Sequence, residues 1–225
     1  MSVDLPTRSP ASSPYLPGPS VAVFVDLSNL FYGARSEAVA AGESPAAIRL
    51  ESDQLARLLR ADRHQDRGVV VANDEVPREA LSHFARLGEV IVREAGRRTG
   101  TEQASDETLL NRMYETISQR PRGTLVLATG DGAGAARGRG FIPALESARE
   151  RGWGIEVVAW ASSVNKRLLE WLTRTGSVFV NLSDQYFAVT FVERGRRAQQ
   201  VMLAQRPFAV PRSRSGAVAR AARVD

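Results

Sequence analysis

The sequence predicts an α/β fold: a three-layer sandwich of helices around a central, mainly parallel sheet. Three observations predict it. Short, uninterrupted apolar runs recur along the chain, as strands buried on both faces require. Segments of helical periodicity fill the gaps, and strand–helix alternation of this length implies parallel strands joined by right-handed crossovers. The 225 residues, 43% hydrophobic and 24% charged, suffice for one buried domain with extensions.

In chain order, residues 1–19 hold five prolines and several serines without apolar periodicity, and are expected to form a flexible leader. The first strand is 21–25. Helical patterns follow at 53–61, 77–86, 106–119, 141–151 and 164–174, and strands at 69–72, 90–92, 124–128, 155–159 and 178–180. Pro77 suits a helix start, and Gly88 and Gly152 stand where helices should stop. Trp153, Trp160 and Trp171 lie on these patterns and are assigned to the core. Residues 186–192 alternate aromatic and β-branched side chains, an edge strand or a dimer-forming extension, which leaves a homodimer open. The domain is therefore expected over 20–192, followed by a basic, flexible tail over 193–225.

Composition narrows the chemistry. Zero cysteines exclude disulfides and thiolate metal sites, and the two histidines, His64 and His83, are far apart. Any metal must be held by oxygen ligands, which suits Mg2+ or Mn2+. No apolar run approaches the roughly 20 residues that span a bilayer, and no export signal is read, so a cytoplasmic protein without membrane contact is expected. The net charge of +5 is unevenly placed: eight arginines against two acids lie from residue 193 onward, leaving the rest of the chain slightly acidic. Such a tail either grips a polyanion through its phosphates or is a solvated extension.

In open parallel sheets ligands bind beyond the carboxyl ends of the strands, so the polar residues after each apolar run matter most. Asp26, Ser28 and Asn29 follow the first run, and Thr129, Gly130 and Asp131 follow 124–128. Asp26 also suits a helix N-cap and Asp131 a turn. Their occurrence together at two strand ends favours a shared site. Asp106 opens the helix of Leu109, Leu110, Met113 and Ile117 on its inward face, with Ser105 as an alternative cap and Glu107 as a weaker acid beside it. Three converging carboxylates repel one another, and a divalent cation relieves that repulsion. The glycines at 132, 134, 138 and 140 do not make a dinucleotide fingerprint, because they follow a late strand and open with Asp131. A phosphotransferase using Asp26 as nucleophile lacks its usual acid–base carboxylate, since position 28 is serine.

These residues resemble a known family. Val-Phe-Val-Asp26-Leu-Ser28-Asn29-Leu-Phe-Tyr-Gly, then Ser105-Asp106-Glu107, then Ala-Thr129-Gly130-Asp131-Gly, Phe141-Ile-Pro143 and Gly152-Trp-Gly-Ile-Glu-Val look like an NYN domain, a member of the PIN-like nuclease superfamily, over roughly residues 20–185. The resemblance implies a PIN-like, Rossmann-like fold and a ribonuclease that hydrolyses phosphodiester bonds with a metal-activated water. It makes Asp26, Asp106 and Asp131 the metal-binding acids and Asn29 a group that positions water or phosphate. Ser28, Thr129 and Glu107 would support them. Two features depart from the family pattern. Residues 133–140 stand where relatives often continue into another Asp and Phe, and Asn111 and Arg112 stand where many carry a further acid. The rival reading is an RNA-binding or scaffold protein of the same fold without cleavage. For either, Arg97, Arg98, Arg137 and Arg139, with Arg93, Arg112 and the tail, are the candidate phosphate contacts.

Overall fold

A computed structural model describes residues 20–94, 101–131, 140–193, 202–209 and 211. Six parallel strands form the main sheet: β1 (Val21–Asp26), β3 (Gln65–Asn73), β4 (Glu89–Arg93), β5 (Thr124–Ala128), β6 (Gly154–Ala159) and β7 (Val178–Asn181). They lie in the order β4-β3-β1-β5-β6-β7. From β1 the chain winds outward on one side through β3 to β4, then crosses back to β5 and winds the other way. The topological switch therefore falls between β1 and β5, which pair directly from Val21↔Thr124 to Val25↔Ala128.

Strand alternation divides the core into two layers. Val21, Val23 and Val25 join one cluster under α1 (Leu27–Ala40), α2 (Ser52–Arg60) and α3 (Arg78–Phe84). Ala22 and Phe24 join the other under α4 (Thr101–Gln119), α5 (Phe141–Glu150) and α6 (Lys166–Thr175). Three layers result, as the apolar runs predicted. All three tryptophans are buried within them. None of the helices among the described residues is long and apolar enough to cross a membrane.

Several elements differ from the sequence expectation. The helix carrying Asp106 begins at Thr101 rather than 106. Glu, Gln and Ala at 102–104 are good helix formers and extend it backward. Ser105 is therefore inside the helix and does not cap it. Residues 186–192 are not one strand: α7 (Tyr186–Val189) precedes a short β8 (Thr190–Val192), which pairs antiparallel with β2 (Ile48–Leu50) of the same chain. The sequence marks helix α1 only through Asp26 as a possible cap. Its inward residues Leu30, Ala34 and Ala38 follow helical spacing, but the last two are small and give a weak apolar signal. Gly33 on this helix lets it approach β6, since a Cβ there would lie 2.2 Å from Cδ1 of Trp160. The Trp160 indole in turn donates to Leu30 O at 2.9 Å, fixing the start of α1 against the end of the sheet.

Part of the segment assigned to the tail is held against the domain. Glu156, fully buried in β6, receives both guanidinium ends of Arg63 at 2.7 and 2.9 Å, Arg206 Nη1 at 2.8 Å and the Ala209 amide at 2.7 Å. Arg206 also donates to Leu58 O and Leu59 O, orphan carbonyls in the last turn of α2. Thr124 Oγ1 donates to Ala209 O, so the strap crosses the amino ends of β5 and β6. Burial pulls the Arg206 guanidinium below its ordinary pKa, and Glu156 pushes it back up.

Candidate active site at the carboxyl edge

At the switch point the last residue of β1, Asp26, is buried at 9% exposure. Its φ of −86° and ψ of 92° end the strand, and Oδ1 accepts the Asn29 amide at 3.0 Å, so Asp26 is the N-cap of α1. Oδ2 accepts Thr129 Oγ1, from the end of β5, at 3.3 Å. Thr129 Oγ1 also accepts the Asp131 amide at 3.2 Å, while Asn29 Oδ1 accepts the Gly130 amide at 2.7 Å. Two strand ends are thereby tied together, with Asp26 and Asn29 on one side and Thr129, Gly130 and Asp131 on the other. The capping role and the shared-site role of Asp26 coincide in one carboxylate, each oxygen serving one of them.

Asp106, one turn before Leu109 and Leu110, is buried at 8% exposure on α4. Helix α4 packs on β1 and β3, and strand alternation assigns Asp26 and Thr129 to that covered face. Asp131 is half-buried at the rim. Among the described residues, no three His, Cys, Asp or Glu side chains gather closely enough to cage a metal ion. Asp26 and Asp131 are tied together at this edge through Thr129, and Asp106 is buried on the helix that packs on β1 and β3.

The supporting residues are redistributed. Ser28 does not brace a carboxylate: its hydroxyl accepts the Asn73 amide at 2.8 Å, tying α1 to β3. Glu107 is exposed and turned away from buried Asp106, because neighbouring helix positions diverge by about 100°. Arg97, Arg98, Arg137 and Arg139 lie outside the described residues. Arg112 pairs with Glu89 and Glu115, whose carboxylates raise its pKa, Glu115 foremost, and Arg93 donates to Thr108.

Sequence reasoning missed two walls of this edge. Asn73 ends β3 beside β1, and its Oδ1 is a buried acceptor without a hydrogen-bond partner. The signal was available, since Asn73 is the first polar residue after the run 69–72. Next to it, Tyr32 on α1 donates its hydroxyl to Glu75, and burial first, then Glu75, raises its pKa. The loop after β6 forms the other wall: Asn165 N donates to Gly130 O at 2.8 Å, and a Cβ on Gly130 would lie 2.5 Å from Ser163 Oγ. Residue 130 must be glycine for that loop to close.

Among the described residues, the candidate donors are oxygens: the carboxylates of Asp26 and Asp131 and the amide carbonyls of Asn29 and Asn73 at this edge, and the carboxylate of Asp106 buried on α4. That chemistry fits a hard divalent cation such as Mg2+, which takes one or two carboxylates and keeps several waters, and needs no three-acid cage.

No curated protein matches the chain. A solved structure of a protein of unknown function from Vibrio parahaemolyticus is similar, with 18% identity, a TM-score of 0.52, and 76% of this chain and 96% of that chain covered. At that identity the likeness supports the fold alone. A family model described as the NYN domain matches residues 20–178, well over half of the chain.

Proposed function

Because the chain belongs to the NYN domain family, within the PIN-like nuclease superfamily, we propose that it is a ribonuclease that hydrolyses RNA phosphodiester bonds using a carboxylate-bound Mg2+ or Mn2+. One observation carries this reading: Asp26 and the Thr129–Gly130–Asp131 turn are hydrogen-bonded across the switch point, with Asp106 buried on the helix above. When bound, the cation neutralises charge on the phosphodiester and lowers the pKa of a water. The chain's own residues do the positioning. The Asn29 amide and the Thr129 hydroxyl hold both oxygens of Asp26, so its carboxylate is oriented before any ligand arrives. Asn29, fixed by Gly130 N, holds the β5 loop against α1 and keeps Asp131 on the same edge. Asp106 supplies the second buried carboxylate from α4. RNA is the proposed partner.

The second reading is an RNA-binding protein of the same fold with weak or no cleavage. It is favoured by the absence of a three-acid group among the described residues and by Asn111 and Arg112 at the positions of a further acid.

A cleavage assay separates the two. The full chain is expected to cut an end-labelled single-stranded RNA in Mg2+ or Mn2+, and to lose that activity in chelator. Saturating metal is expected to stabilise the fold by about 2.7 kcal/mol at a concentration 100 times its Kd, read as a rise in Tm. Intact RNA and an unchanged Tm in both metals would sink the nuclease reading. RNA binding with a steep salt slope would then support the second.

A further inference from the structure

A cavity of about 290 Å³ lies between α1, α3, the start of α2 and the small β2–β8 sheet. Its floor is apolar, with Leu27, Phe31 and Phe84 at most 3% exposed. Phe191, 42% exposed, stands at the wall supplied by β8. The polar lining is acidic. Glu51, Glu79 and Glu193 stand with two basic side chains, His83 and Arg49, and the Arg49 guanidinium is already bound to Glu193 and to the carbonyls of Ala46 and Ile48. Glu51 accepts only the Asp53 amide, at 3.4 Å, and Glu79 has no ion pair among the described residues. An aromatic, apolar floor below Glu79 and a Glu51 carboxylate engaged through one oxygen as the cap of α2 is complementary to a long aliphatic stem that ends in a positive charge.

We propose that this cavity receives an arginine or lysine side chain presented by a partner polypeptide. The volume sits at the small end of ligand pockets, about 300 Å³ and upward, and suits one anchoring side chain. A nucleotide is a poorer fit, because it would carry its phosphate toward an acidic rim. The exposed ring of Phe191 beside the cavity gives the apolar centre that an interface anchor requires, with Glu51 and Glu79 as its polar rim. This inference does not rest on the nuclease reading.

The test is a titration of the isotope-labelled full chain with three blocked tripeptides, acetyl-Leu-Arg-Leu-amide and its Lys and Gln counterparts. The Arg and Lys peptides are expected to shift the amides of Ala80, His83 and Phe191, and the Gln peptide to leave them in place. Glu79→Gln combined with Glu51→Gln, which keeps the capping oxygen, is expected to weaken binding about tenfold and to flatten its salt dependence. Glu79→Gln alone, on an exposed helix position, is expected to show part of that loss with the Tm unchanged. Equal binding of the Gln peptide, or unchanged affinity in the double variant, would overturn the proposal. So would shifts of the same amides by oligoadenylate and not by the basic peptides, which would make the cavity a nucleobase pocket.

Discussion

Asp26→Asn is expected to lower metal-dependent RNA cleavage by about 10³-fold or more while the fold stays intact, since ligation of the cation accounts for several kcal/mol of transition-state stabilisation. The substitution isolates charge from structure. Asparagine is as good an N-cap as aspartate, so the Asn29 amide keeps its acceptor and α1 its start. Thr129 can still donate to the remaining carbonyl oxygen or reorient its hydroxyl. Steady-state cleavage rates and thermal melts on the same preparation check both halves. An Asp26→Asn chain that melts normally and cuts RNA at the original rate would remove Asp26 from the chemistry.

The second large effect lies at the opposite end of the sheet and concerns stability. Arg206→Ala is expected to cost about 3 kcal/mol, the lower part of the range for breaking a buried ion pair, because Arg63 still faces Glu156 after the change. For a chain of this size that is a fall in Tm of about 6–12 °C. The side chains involved are 6% and 0% exposed, so solvent cannot take over the lost bonds. The carbonyls of Leu58 and Leu59 also lose their donor, and the end of α2 loosens with them. A chain truncated after Val192 should fall at least as far. A melt within about 1 °C of the original for both would mean that the strap adds nothing to the folded state, and would restore the view of 193–225 as a free tail.

The contrast between these two sites explains what the sequence could and could not disclose. All six main strands were legible because each carries a short apolar run, fully buried in β1, β5 and β6 and only partly so in the edge strands β4 and β7. Their order was not, because it depends on which way each crossover turns. Asp26, Thr129 and Asp131 were found by one local rule, the first polar residues after an apolar run. Asn73 obeys the same rule and marks β3 as the third strand contributing to the edge. Glu156 had no local signal at all. Within the run Gly154–Ala159 it looks like a single interruption, and its cationic partners stand 93 and 50 residues away in sequence. Arg206 was hidden by its neighbours, since one buried arginine in an arginine-rich extension has the same composition as a solvated one. Strands β2 and β8, three residues each, are too short to carry a period. Asp106 was placed on the correct face but at the wrong helix position, because amphipathic spacing fixes a face well and a terminus poorly.

The carboxyl edge between β1 and β5 is the centre of the functional account, and the cation proposed there can be observed directly. Diffraction from a crystal of the full chain soaked in Mn2+, recorded with anomalous signal from manganese, is the most direct measurement. A peak is expected against the Asp26 carboxylate on the side of α4, within reach of Asp106 or Asp131 through its waters. A bare edge at a Mn2+ concentration that supports RNA cleavage, or a peak seated elsewhere on the chain, would contradict it.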